Sequence, residues 1–480
     1  MNPSGYRPVG RHRTLADFRA HLRGVDPSCD VVEELRGSEG PLGRPLDVDG
    51  LRIGNRFCVH PMEGWDATTD GLPTERTLRR WSAFGRSGAK LVWGGEAFAV
   101  RADGRANPNQ LCRMPDEERS LRGLLDLHDA LRAAHVQAGM ETSDLVVGLQ
   151  LTHSGRWSRP QGKKAPRIAV RHPELDRRAE VRDDSALFSD AELESLVDEY
   201  LAAARLAQRA GFHFVDVKCC HGYLLHELLG AHTRPGVFGG DFDGRTRLFR
   251  TIVNAIRAEL PALRIGVRAS IADTQIHTKD PDSGIGRAIA ADPRAPRYGF
   301  GVAVDGSPDL GEPIEFLRLC QRLGVAMVNL TIGSPYTCPH LQRPATYPPS
   351  DGYLPPEDPL LSVTRHLQVV RACKRAVPGL PMVGTGYSYL QEWLPYVAEH
   401  EVGAGHVDFV GLGRSMLSYP ELPADVLARQ TLDRRRICRT FSDCTTAPRN
   451  GLVSGCYPLD PYYRSSAEAG VLDRIKKEHT

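Results

Sequence analysis

The sequence predicts an α/β fold, a (β/α)8 TIM barrel with an N-terminal extension and a short C-terminal tail, on three observations. Eight apolar runs of strand length recur along the chain, amphipathic stretches of helical period separate them, and a glycine repeatedly stops the helix just before the next run. Parallel strands joined by right-handed crossovers follow from that alternation, and eight such units favour closure into a barrel over an open sheet.

Taken in order, residues 1–50 are rich in Arg, Gly and Pro without clear periodicity and read as an extension with one short helix at 15–22. The barrel is expected over 51–425, with strands at 57–59, 90–93, 145–151, 212–217, 265–267, 325–330, 382–383 and 407–412. Most of these runs carry β-branched residues. The clearest helix lies between the third and fourth runs. Ser189 and Glu192 have capping-box spacing, Leu193, Leu196, Val197, Tyr200, Ala204 and Ala207 share one face, and Gly211 stops it. Gly88 and Gly324 precede strands in the same way. The long polar stretches 271–313 and 336–359 follow strands and are expected over the C-terminal mouth, where barrels keep their chemistry. Residues 426–480 form the tail.

Composition excludes several partners. With 61 basic against 59 acidic residues, interleaved for a net charge of +2, no polyanion-binding surface is built, and nucleic acid is not an expected partner. No apolar run reaches 18 residues and the first 30 lack an apolar signal core, so a cytoplasmic protein with a small-molecule substrate and no membrane partner is expected. A homo-oligomer is compatible with the sequence. Eleven cysteines, most of them single, read as reduced thiols.

In a barrel, the residues just after each strand face the mouth. They are His60 to Gly64, Gly94-Gly95-Glu96, Gln150 with His153 and Arg156, Lys218 with His221 and Tyr223, Arg268, Asn329 to Thr331, Gly384-Thr385-Gly386, and Gly411 to Arg414. Glycines after the last two strands, with Arg414, make a phosphate cradle where backbone amides can approach an anion.

The segments NRFCVHPMEG, GLQLTHSGR, VDVKCCHGYLLHELLGAHTRPGVFGGDFDGRTRLF, GVRAS and VDFVGLGR resemble, in that order, the flavin-contacting segments of Old Yellow Enzyme-type NADH:flavin oxidoreductases over about residues 50–425. The resemblance implies a barrel holding FMN, with NADH or NADPH as reductant. It places Pro61, Met62 and Glu63 at the isoalloxazine edge and Gln150 at the pyrimidine end. Arg268 would stand near N1 and O2, and Gly384, Gly386, Gly413 and Arg414 at the phosphate; Gly95 joins the cofactor-facing set. It also implies that Lys218 and His221 polarise a substrate oxygen while Tyr223 supplies a proton. Lys218 departs from the family, which has His there, and Glu63 stands where relatives carry Thr or Cys.

Some longer relatives follow the barrel with C-x2-C-x3-C-x11-C around a [4Fe-4S] cluster. Here Cys444 and Cys456 keep the last interval, but Cys438 stands alone upstream, so the tail reads as a degenerate remnant with no metal expected. The function expected is hydride transfer from NAD(P)H through flavin N5 to an activated alkene. The alternatives are a flavin-dependent dehydrogenase or demethylase of an amine or other small molecule, and a non-catalytic barrel scaffold.

Overall fold

The computed structural model of the chain describes residues 5–290 and 298–478. Eight parallel strands close into a barrel: β1 (Phe57–Val59), β2 (Leu91–Val92), β3 (Val146–Thr152), β4 (Phe214–Val217), β5 (Arg264–Ser270), β6 (Met327–Thr331), β7 (Met382–Gly384) and β8 (Phe409–Leu412). Each pairs in parallel with the next, and β8 pairs with β1 to close the ring. All eight expected runs are strands. Their near-continuous burial matches a parallel sheet covered on both faces.

Helices α1 (Glu75–Gly85), α2 (Glu117–Gln137), α3 (Asp190–Arg209), α4 (Phe242–Glu259), α5 (Gly311–Arg322), α6 (Pro359–Ala376) and α7 (Leu394–Gly403) form the outer ring. In α3 the capping box closes as expected, and Leu193, Leu196, Tyr200, Ala204 and Ala207 are buried against the barrel. Gly211 then turns the chain with φ +86°, a conformation that strains any side chain.

An antiparallel hairpin, Leu46–Val48 with Leu51–Ile53, plugs one end of the barrel. Its Val48 and Ile53 pack with Cys58, Leu91, Phe214, Met327 and Phe409. With that end sealed by apolar side chains, chemistry is confined to the C-terminal end. The extension's helix runs Leu15–Val25, longer than expected, and docks through Phe18 stacked on Trp393 at 5.4 Å.

The tail is also packed down. Arg79 pairs with Asp460 and Arg76 with Glu468, fastening it to α1, and its helix Asp443–Arg449 reaches the mouth. The stretch expected over the mouth at 271–313 includes a hairpin, His277–Lys279 with Gly286–Ala288; its residues 291–297 lie outside those described. No helix among the described residues is long and apolar enough to cross a membrane.

Candidate active site

A cavity of about 390 Å³ opens at the C-terminal end of the strands. Gln150 of β3 lines it, and its Nε2 donates to Asp216 Oδ2 at 2.6 Å, which leaves the amide oxygen and the second amide N–H for a ligand. Asp216 Oδ1 accepts the Arg268 backbone N–H at 2.6 Å, and burial pushes the Asp216 carboxyl up to about 6. Arg268 is buried, donates to the Pro61 carbonyl at 3.3 Å and leaves its Nε without a partner.

The loop after β1 is fixed from behind. Arg80 of α1 pairs with Asp66 at 2.8 Å and Glu96 at 2.5 Å and also donates to the Met62 and Gly95 carbonyls, while Glu96 accepts the Gly64 N–H at 2.6 Å. Pro61, Met62 and Glu63 are thereby presented to the cavity. Gly95 lies off the cavity wall; a Cβ there would stand 2.9 Å from the Trp81 ring, so glycine is needed for packing.

One wall of the cavity comes from the turn after β4. Lys218 is buried, and its Nζ lies 3.9 Å from the centre of the Tyr223 ring. Burial lowers its pKa because a desolvated ammonium is disfavoured. The Tyr223 hydroxyl donates to Glu63 Oε2 at 2.6 Å and sits 3.4 Å from the Tyr336 hydroxyl. Burial, reinforced by Glu63, raises the Tyr223 pKa well above its ordinary value, so the phenol keeps its proton. His221 adopts φ +65°, its backbone held by Ser270 and Ser334, and its Nε2 lies 3.1 Å from Gln342 Nε2. Burial, with Arg268 and Lys218 nearby, keeps the imidazole neutral.

At the opposite end Gly386, with φ +102°, Gly413 and Arg414 line the cavity. A Cβ at Gly413 would meet nothing closer than Met62 Sδ at 3.9 Å, so it would project into the cavity itself. Gly384 belongs to the strand and is not on the wall; a Cβ there would press on Tyr387. Arg414 donates to the Pro344 carbonyl at 2.5 Å and leaves Nη1 buried without a partner. The donor set fits a flavin mononucleotide: an amide and a guanidinium at one end, the open Gly413 with the unpartnered Nη1 of Arg414 at the other.

Several lining residues were invisible from the sequence. Tyr336 stacks on Trp157 at 4.1 Å beside Tyr223; Arg343 is anchored on Thr445 of the tail; Arg159 and Arg449 stand at the rim. For Tyr336, Arg343 and Arg159 the only sequence signal is membership of loops that follow strands, and Arg449, at the end of the tail helix, has none. His153 and Arg156, read as mouth residues, instead face Asp103 and the Asp176–Glu227 pair outside the cavity. Burial pushes the Cys456 thiol up, with Cys438 and Cys444 adding to the shift. Among the described residues, however, the trio of potential ligands drawn within 4.8 Å is His400, Glu401 and His406.

Fold and site together define a barrel whose mouth fits a planar, anionic cofactor. The chain belongs to the NADH:flavin oxidoreductase / NADH oxidase family, whose model matches residues 41–291. Over 245 residues it is 29% identical to NADH:flavin oxidoreductase FG08077 of Gibberella zeae, covering 48% of this chain and 56% of that relative, so it spans about half that relative's length. Its fold is similar to Old Yellow Enzyme from Pichia sp. AKU4542, with TM-score 0.59, 18% identity and 90% and 97% of the two chains covered. It is also similar to histamine dehydrogenase from Rhizobium sp. 4-9, with TM-score 0.63, 17% identity and 89% and 53% covered.

Proposed function

We propose that the chain is an FMN-dependent oxidoreductase passing hydride from NADH or NADPH, by way of flavin N5, to an activated alkene. The observation that carries this reading is the convergence of Lys218, His221 and Tyr223 on one wall of a cavity whose two ends carry Gln150 with Arg268 and Gly386 with Gly413 and Arg414. Bound there, FMN supplies a two-electron carrier that takes up hydride and gives it up. Arg268 offers positive charge where the reduced cofactor is anionic.

Lys218 and His221 hold the substrate's carbonyl or nitro oxygen and draw electron density from the alkene. With the hydride that bound FMN would supply going to the carbon β to that group, Tyr223 would deliver its proton to the neighbouring carbon, giving the saturated product. Glu63, hydrogen-bonded to Tyr223, returns a proton from solvent to the phenolate. Family membership and the Old Yellow Enzyme fold support the reading.

The Tyr223–Glu63 pair also favours a second reading, oxidative attack on an amine, because the phenol can take a substrate proton as it passes its own to the carboxylate; a histamine dehydrogenase shares the fold. An absorbance spectrum of the purified protein followed by anaerobic titration decides. Bleaching by NAD(P)H and reoxidation by an enone are expected. Bleaching by an amine without nicotinamide selects the second reading, and colourless protein that cannot be reconstituted with FMN leaves the non-catalytic scaffold.

A further inference from the structure

The cationic side chains of the cavity outnumber what the cofactor neutralises. Seven line it, against two carboxylates, Glu63 and Asp351. Three are accounted for within the protein: Arg80 by Asp66 and Glu96, Arg449 by Asp351, and Lys218 by the nearby Glu63. Of the rest, Arg268 donates to the Pro61 carbonyl, Arg343 to the Thr445 hydroxyl and Arg414 to the Pro344 carbonyl, none to a carboxylate. Arg159 acts electrostatically on Glu180, but that carboxylate is already paired with Lys164 at 2.6 Å.

Charges in a half-enclosed cavity are costly without counter-charge. Arg343 and Arg414 occupy one end, since Arg414 bonds the residue next to Arg343. A phosphate monoester there, carrying about −2, matches these two guanidinium groups, and Arg268 matches the anionic reduced ring. Arg159 is left over. It lines the same cavity and its charge acts on Tyr336, which stacks on Trp157 and whose hydroxyl lies 3.4 Å from that of Tyr223. The guanidinium therefore stands beside an aromatic pair that adjoins Tyr223.

We infer that the substrate is an activated alkene with one anionic group, a carboxylate or phosphate, set off from the reacting carbons by an apolar spacer and held by Arg159. This rests on the reading that FMN fills the inner cavity. Benzalacetone derivatives test it: 4-(3-oxobut-1-enyl)benzoate, its methyl ester, and the corresponding aryl phosphate, compared on the holoenzyme at low salt. An anionic probe should exceed the ester in kcat/KM by roughly 10- to 100-fold, the worth of one charge-assisted bond. The preference should shrink with salt, collapse in Arg159→Ala and partly return in Arg159→Lys. Which anion is preferred identifies the source. Equal rates for acid and ester, or a preference unchanged in Arg159→Ala, overturn the inference while leaving alkene reduction standing. If no enone is reduced, the saturated acid 4-(3-oxobutyl)benzoate is titrated against its methyl ester on oxidised holoenzyme. A flavin absorbance shift for the acid that depends on Arg159 supports the anion site, and no such shift overturns it.

Discussion

The Tyr223 hydroxyl donates a 2.6 Å hydrogen bond to Glu63 Oε2, joining the proton-bearing phenol of one loop to a carboxylate 160 residues away in another. The carboxylate raises the phenol's pKa, burial being the larger cause. Tyr223→Phe should slow reoxidation of the reduced enzyme by an enone roughly 100- to 10000-fold, the worth of a general acid. Glu63→Gln removes the negative charge and so lowers the Tyr223 pKa. Activity that needs the protonated phenol falls as pH rises through that pKa, so the alkaline limb should move to lower pH in the Gln variant. A pH profile of the reoxidation rate, with the limb unmoved, would count against the coupling.

Lys218 presents its ammonium over the Tyr223 ring from a buried position. Lys218→Ala should cost about 100- to 1000-fold in reoxidation by substrate, the range for one charged donor in a dry site, and much less in reduction by NAD(P)H. Stopped-flow measurement of each half-reaction separates them; equal losses in both would assign Lys218 to cofactor binding.

Arg414 and Arg343 make a paired test of the phosphate end. Each to Ala should weaken FMN binding by about 1.5 to 3 kcal/mol, with little effect on riboflavin, which lacks the phosphate. Flavin fluorescence titration of the apoprotein reads both ligands. A similar loss for riboflavin would mean that the variants disturb the loop.

Asp216 is buried, with a carboxyl raised to about 6. A raised carboxyl costs stability as pH climbs from about 4 to about 6, because the folded state must give up a proton it holds more tightly than the unfolded chain does. Asp216→Asn lacks that term, so the variant should gain on the wild type by roughly 3 kcal/mol between pH 4 and pH 7, on top of a constant loss from the bonds to Gln150 and Arg268. Denaturant unfolding of the apoprotein across that range checks it; parallel curves would show that the carboxyl is not shifted.

The barrel was legible because strand and helix periodicity are local properties: runs such as 145–151 and the Ser189 capping box carry their own signal, and strand ends then point to Gln150, Lys218, Tyr223, Arg268 and Arg414. The close ranks of Lys218, Tyr223 and Glu63 were not legible, since β4 and β1 meet only through barrel closure. Gly95 and Gly384 carried the pattern of cofactor glycines yet serve packing against Trp81 and Tyr387. One residue's difference in position along a strand reverses the face a side chain occupies, and no local pattern fixes that face at a loop. The tail's docking on α1 and its hold on Arg343 depend on ion pairs and hydrogen bonds between segments up to 392 residues apart. The sequence by itself thus determined the repeating units and part of the mouth, Gln150, Lys218, His221, Tyr223, Arg268 and Arg414 among it. Tertiary structure decided which of them touch, because contacts across a closed barrel depend on geometry accumulated over all eight units.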